Sequence, residues 1–511
     1  MNQNVIDFLA SLQQRGVRIW VDNGTLRFQA PRGALLPAEL AMLRELRSSL
    51  LKLLEARQLF AEGITRRPSG CTAPLAAVQR HFMLTTLCKL NNVYRRSITV
   101  AARLIGPMDR VLLQNCIEFV ISRHESLRTR IVTKDRELLQ SIDESCHLCF
   151  EDFDLRMADP REAEASIRSI ARQQVELPID LLRESLFKAM LFSVTDYDHV
   201  LVLAMNHLIT DGISKAIVSQ EIWTLYEQGA RGLPLSLPPQ VLQFPDYSVW
   251  QQRMFPIWLE QHAEYWKRHL SNSTPVEIPC MGTSGKTENP TGAVYQAVIG
   301  ESLSIKLRDL AHRHRTLLSL IVLTLYLIEM SRWCNNRDLV VMFVLSGRDR
   351  PELAGMTGFL VNAVYLRVEL ASHESFIDLL RRVTAEFHAA YEHQDVGVEF
   401  LSECVTDLGF NWRPNYQPHW SGDRRQSDKE IAVEPFSFRA SLPVKFTPMF
   451  SETDAGIGVT ILYRSDLFPD QIVRQFVQNL RCLAEEYAEH PLNQVRFVTS
   501  KETDPHAAAI Q

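Results

Sequence analysis

Residues 206–212, Asn-His-Leu-Ile-Thr-Asp-Gly, hold the side chains best suited to chemistry in this 511-residue chain. His207 can take a proton from an alcohol or amine near neutral pH, or orient that nucleophile through a hydrogen bond; the sequence leaves both open. Asp211 can fix the local turn or pair with a cation. Gly212 bares the backbone for a sharp turn or close approach of a ligand. Its amide, at a helix start, can face a developing oxyanion. Acyl transfer needs an oriented nucleophile, a destination for its proton and a stabilised tetrahedral oxyanion. No Ser or Cys nucleophile elbow appears, so direct attack by an acceptor is simpler than a covalent acyl-enzyme. Read locally, the same residues equally suit a core histidine followed by a capping Asp.

The elements around the heptapeptide decide how it is held. The apolar run 200–205 predicts a buried strand that ends at Asn206, and 213–226 predicts a helix. Strands are expected at 97–104, 127–132 and 186–194, and helices at 111–122 and 162–174. A Pro/Gly/Ser-rich break covers 283–292. Helices then recur at 303–314, 317–332, 376–391 and 469–487, with strands at 339–345, 363–370, 436–446 and 457–462. Residues 415–427 are polar and read as a loop. The result is two similar α/β halves. The most apolar stretch, 317–330, is too short to span a bilayer and reads as a buried helix.

The first sixty residues form a separate unit. Apolar spacing over 5–12 predicts a helix. Residues 18–21 and 25–28 flank Asp22-Asn23-Gly24, a strong hairpin signal. Leucines at 40, 43, 46, 50, 51, 53 and 54 predict an amphipathic helix over 37–57, opened by Pro37. Eight Lys/Arg against five Asp/Glu give residues 1–60 a charge of +3, on a chain whose net charge is -5. A basic appendage on a mildly acidic protein predicts an acidic partner segment, and the hairpin edge could accept an added strand. Arg18, Trp20, Arg27, Phe28 and Arg32 are the candidate docking residues.

The ordered motifs identify a family. The segment 206–212 resembles the His-His-x-x-x-Asp-Gly signature of nonribosomal peptide synthetase condensation domains. Ala73 to Arg80 resembles the opening motif, Ser122 to Arg130 the second, Phe244 to Gln251 the fourth, Gly358 to Arg367 the fifth and His393 to Glu399 the sixth. The resemblance covers about residues 71–495. It implies an α/β (α+β) fold of two chloramphenicol-acetyltransferase-like lobes forming a V with a central tunnel. It implies that His207 is the catalytic histidine, that Asp211 is structural and pairs with a distant Arg, for which Arg348 is the candidate, and that Asn362 lines the tunnel. Asn206 replaces the family's first histidine, which bears on the local support of His207. Arg123, His124, Arg128 and Arg130 read as one charged segment joining helix to strand. Tyr247 and Trp250 read as packing, and His393 and Asp395 as support for a helix end or lobe interface. The first sixty residues resemble the helix-hairpin-helix docking domains that capture an acidic C-terminal tail of an upstream carrier protein.

These readings divide the chain into a docking domain (1–60), a linker (61–70), an N-lobe (71–270), a C-lobe (271–495) and a tail (496–511). The resemblance implies an acyltransferase that moves an acyl chain from a carrier protein's phosphopantetheine thioester to an amine or hydroxyl. No cofactor is expected on the chain itself; the arm comes with the upstream acyl or peptidyl carrier. No adenylation or carrier motif is evident, so a stand-alone enzyme with substrates delivered in trans is expected. A free small-molecule acceptor, hence chain release as ester or amide, is the first expectation. A carrier-bound aminoacyl acceptor and a silent carrier-recruitment module are the alternatives. Epimerisation and coenzyme-A-dependent transfer lack their motifs. The mild charge gives no argument for nucleic acid or anionic membrane. Nine scattered cysteines without a signal peptide predict a reduced, cytoplasmic protein. The lone Cys146-His-Leu-Cys149 has no second pair to complete a metal site, and no metal is expected.

Overall fold

The computed structural model describes residues 17–22 and 25–29, positions 43, 44, 47 and 51, and residues 63–496 apart from 69, 90–96, 145–147, 177–178, 274–275, 281–291, 372, 397–407, 414–430 and 437–444. β1 (Arg18–Asp22) and β2 (Thr25–Gln29) form the expected antiparallel hairpin, with Trp20 opposite Arg27 and Ile19 opposite Phe28. Leu43, Arg44, Arg47 and Leu51 are helical, within the second helix expected here. The expected helix at 5–12, the hairpin tip 23–24 and Arg32 lie outside the described residues.

The first lobe holds β3 (Ala73–Pro74), α1 (Ala77–Lys89), β4 (Ser97–Ile105), α2 (Arg110–Arg123), β5 (Thr129–Lys134), β6 (Glu137–Ile142), β7 (Cys149–Asp154), α3 (Pro160–Glu176), β8 (Phe187–Thr195), β9 (Asp198–Asn206), α4 (Gly212–Ala230) and α5 (Phe244–His269). β9 is apolar on both faces because both are covered. Leu201, Leu203 and Met205 join a core with α2 and α4, while Val200, Val202 and Ala204 join one with α3. β4 and β8 flank β9 antiparallel, and β7 lies parallel to β8. The next residue of the alternation on the α2/α4 side is His207.

The second lobe holds β10 (Gly292–Gly300), α6 (Glu301–Arg313), α7 (Leu318–Cys334), β11 (Asp338–Leu345), β12 (Asn362–Glu369), α8 (Phe376–Glu392), β13 (Gly409–Arg413), β14 (Ala432–Pro435), β15 (Phe446–Thr453), β16 (Gly456–Arg464) and α9 (Asp470–Glu489). Its six-stranded sheet runs β10-β16-β15-β13-β11-β12. α7 is buried on nearly every side, as an all-round apolar helix must be. No single described helix is long and apolar enough to cross a membrane.

Several boundaries differ from the sequence reading. The strand expected at 436–446 is instead β15, starting at Phe446; residues 437–444 lie outside the described set. The strand expected to start at 127 starts at Thr129, because residues 125–128 form a 3-10 turn. The lobes also do not part cleanly at residue 270. β14 crosses over to pair with β4, and Leu353, Met356, Phe359 and Leu360 sit in the first lobe's core. The polar linker is anchored too: Ile64 is buried in that core, and Arg67 meets Asp246 at 3.0 Å and Glu125 at 2.7 Å.

Candidate active site

His207 leaves the end of β9 and lies between two phenylalanines. Its ring centroid is 4.3 Å from Phe359 and 5.5 Å from Phe82, and the two phenyl rings meet edge-on at 5.4 Å. Phe82 comes from α1, and Phe359 from the segment that crosses over from the second lobe. Two rings from two other parts of the chain thus restrict how the imidazole can turn. Asn206 is buried, and its Oδ1 accepts from the Leu208 amide at 2.9 Å. This contact closes the turn after the strand, as Asx side chains do. Gln79 holds the other side, donating from Nε2 to the Leu208 carbonyl at 2.7 Å.

Asp211 is the N-cap of α4 and is fully buried. Its Oδ1 accepts from Ile213 N (3.1 Å), Ser214 N (2.8 Å), Ser214 Oγ (2.8 Å) and Arg348 Nη2 (3.1 Å). Its Oδ2 accepts from Arg348 Nη1 (2.9 Å) and Leu360 N (3.1 Å). The bidentate fork joins the lobes in a dry place, the setting where such a pair is most geometrically specific. Ser214 Oγ adds contacts to Gly358 N at 3.0 Å and the Gly358 carbonyl at 2.9 Å. Gly347 makes the approach possible: its φ is +64°, and a Cβ there would lie 1.7 Å from the Leu360 oxygen.

Gly212 occupies the first position of α4 and is exposed, with nothing within 4 Å of the place a Cβ would take. Its backbone needs no positive φ. Open space, rather than a turn, is what distinguishes this glycine.

The remaining predicted residues fall further out. Asn362 opens β12, and its Nδ2 donates to the Gln394 carbonyl at 2.8 Å. His124 and Arg123 both grip Glu221 of α4, at 2.6 and 3.1 Å. Burial raises the Glu221 carboxyl, but these two partners outweigh it and hold the group below its ordinary value. Tyr247 is half-buried, desolvation pushes its phenol well above the usual range, and Trp250 lies under the Arg350 guanidinium. His393 contacts His262 at 2.7 Å between Nδ1 atoms and stacks on Tyr265. Asp395 is raised to about 6 by burial and by nearby Asp349. Among the docking residues, Arg27 and Phe28 are exposed, and Arg18 and Trp20 lie on β1.

The sequence reading assigned no role to Phe82, Phe359, Ser214 or Glu221. Ser214, in the helix's first turn, and Phe359, inside Gly358-Phe-Leu-Val-Asn362, had a detectable signal in their neighbours. Among the described residues, no group of three His, Cys, Asp or Glu could hold a metal ion.

A family model for the condensation domain matches residues 71–505, and one for the TubC N-terminal docking domain matches residues 5–56. A linear gramicidin synthase protein of Brevibacillus parabrevis is 29% identical over 433 residues, covering 81% of this chain and 8% of that protein. This chain therefore spans less than a tenth of that relative's length. The EpoB cyclization-docking bidomain of a nonribosomal peptide synthetase from Sorangium cellulosum superposes with a TM-score of 0.70 at 19% identity, over 94% of this chain and 99% of that one. The X-domain in the complex of X-domain and OxyB from teicoplanin biosynthesis gives 0.70 at 20% identity, over 86% and 98%.

Proposed function

Because the chain belongs to the condensation-domain family and carries a TubC-type N-terminal docking domain, we propose that it transfers an acyl chain from a carrier protein's phosphopantetheine thioester to an amine or hydroxyl. The observation that carries this reading is the site's construction. A buried lattice around Asp211 and Arg348 fixes the turn between His207 and the exposed Gly212 amide. The acceptor's N–H or O–H lies against His207, which takes its proton or orients it as the heteroatom attacks the thioester carbonyl. The tetrahedral oxyanion forms in the open space beside Gly212 N–H. The arm's thiolate leaves and takes up the proton. Asp211 and Arg348 act by position, and Asn206 supports the turn through Leu208 N. Asn362 lines the approach to the site. The chain itself needs no resident cofactor, since the thioester arm arrives with its carrier.

The docking domain recruits the upstream acyl or peptidyl carrier by its acidic C-terminal tail. Charge complementarity with the +3 of residues 1–60 supports this. Arg18, Trp20, Arg27, Phe28 and Arg32 are the contacts, and the acyl acceptor is a free small molecule, so the step releases the chain as an ester or amide in the cytoplasm. The great length of the curated relatives favours a second reading, in which the acceptor is an aminoacyl group on another carrier.

Intact-mass spectrometry on an acyl-loaded carrier bearing an acidic C-terminal tail separates these readings. Loss of the acyl mass with a free amine or alcohol present, and product in solution, is the expected result. Transfer only onto a second carrier would make the step an elongation. Carrier binding without any transfer would leave a recruitment module.

A further inference from the structure

A cavity of about 350 Å³ lies at the end of the first lobe's sheet, and neither of the phenylalanines that hold His207 lines it. By volume it could take about twelve waters, or a ligand of about ten non-hydrogen atoms. Ile121, Leu127, Leu186 and Phe187 form an apolar floor, and each is almost fully buried. Charged groups stand at the rim.

Arg128 is the informative one. It is only partly exposed, and it donates from Nη1 to the Asp143 carbonyl. Its Nε is buried with no hydrogen-bond partner, and among the described residues no carboxylate lies within ion-pair distance. The acid that could neutralise it is taken: the Asp143 carboxylate accepts from Arg130 Nε at 2.8 Å. A half-buried guanidinium without a counter-charge costs free energy that an anion would recover. Arg183, also on the lining, is paired with Asp180 at 3.7 Å, and Glu144 is an exposed acid at the mouth, so Arg128 is the cation that the cavity offers.

We propose that this cavity binds a small aliphatic carboxylate, its chain on the apolar floor and its head on Arg128. The site lies close to the chemistry, since the Leu186 carbonyl accepts the Asn206 amide at 2.8 Å, one residue before His207.

Calorimetric titration of the full chain with sodium octanoate, octan-1-ol and octylamine tests this. Octanoate should bind at least tenfold tighter than octan-1-ol, and octylamine weakest. Arg128→Met should weaken octanoate at least tenfold, and Glu144→Gln should tighten it. Equal binding of octanoate and octan-1-ol by the unmodified chain would overturn the proposal, and this arm survives if Arg128→Met fails to fold. So would unchanged octanoate binding by a folded Arg128→Met, which would put the anion elsewhere, such as beside His207.

Discussion

Arg348→Met is the sharpest test of how the site is held. In the native chain Asp211 accepts six hydrogen bonds, two of them from Arg348. The substitution leaves a carboxylate with no exposed surface and no counter-charge. Removing one partner of a buried pair costs about 3–5 kcal/mol. Four backbone and hydroxyl donors remain on Asp211, which points to the lower end, about 3 kcal/mol or roughly a hundredfold in the folding equilibrium. Asp211→Ala should cost a similar amount, since it strands the guanidinium and removes an N-cap. The double variant should recover about 2 kcal/mol relative to the sum of the singles, because neither charge is then left alone. Urea unfolding gives the three stabilities. Amide exchange reports the place: Ile213, Ser214 and Leu360 should exchange faster in Arg348→Met while β16 does not. Additivity within about 0.5 kcal/mol, or exchange that quickens everywhere equally, would refute the claim that this pair locks the two lobes together at the site.

Other outcomes follow from the same geometry. His207→Ala should lower transfer at least a hundredfold, the low end for a positioned proton acceptor, with carrier binding unchanged by titration. Gly347→Ala should lower stability by about 1–3 kcal/mol, because it strains a positive φ and drives Leu360 off Asp211. Deleting residues 1–60 should raise KM for the tailed carrier far more than for a small thioester mimic, and equal losses would count against docking. The His262–His393 contact predicts acid sensitivity. Burial first, and then His393, lower His262 to about 4, and burial also lowers His393. A histidine depressed in the native state is protonated first in the unfolded chain, so its contribution is complete above about 6.5 and is lost as pH falls towards 4. Asp395, raised to about 6, works in the opposite sense between about 4 and 6 and blunts the loss. His262→Gln should therefore flatten the fall in urea midpoint between pH 6.5 and 4.

How much of this was readable beforehand depends on the range of the interactions. β9 was legible because a double-faced apolar run has one good solution, and α4 because Asp211 announces its start. The hairpin β5–β6 was not, because Asp135 and Arg136 take its left-handed turn without the glycine that would signal it. The same limit applies at the site. Asn206, His207, Asp211 and Gly212 are sequence neighbours, so one motif exposes them all. Arg348, 137 residues from Asp211, was reachable only through family resemblance. The motif around Phe359 was visible, but its contact with His207 was not, since a phenylalanine between Gly358 and Leu360 reads as core. It is core, but of the first lobe, which it enters together with Leu353, Met356 and Leu360, and that crossing is what brings it to His207. The exchange of Asn206 for histidine becomes intelligible on the same terms. The turn needs an acceptor for Leu208 N, an amide oxygen supplies it, and the ring that does the chemistry is held by Phe82 and Phe359 instead. A substitution that looks like damage to a motif therefore leaves the supports of His207 in place, because most of them come from elsewhere in the chain.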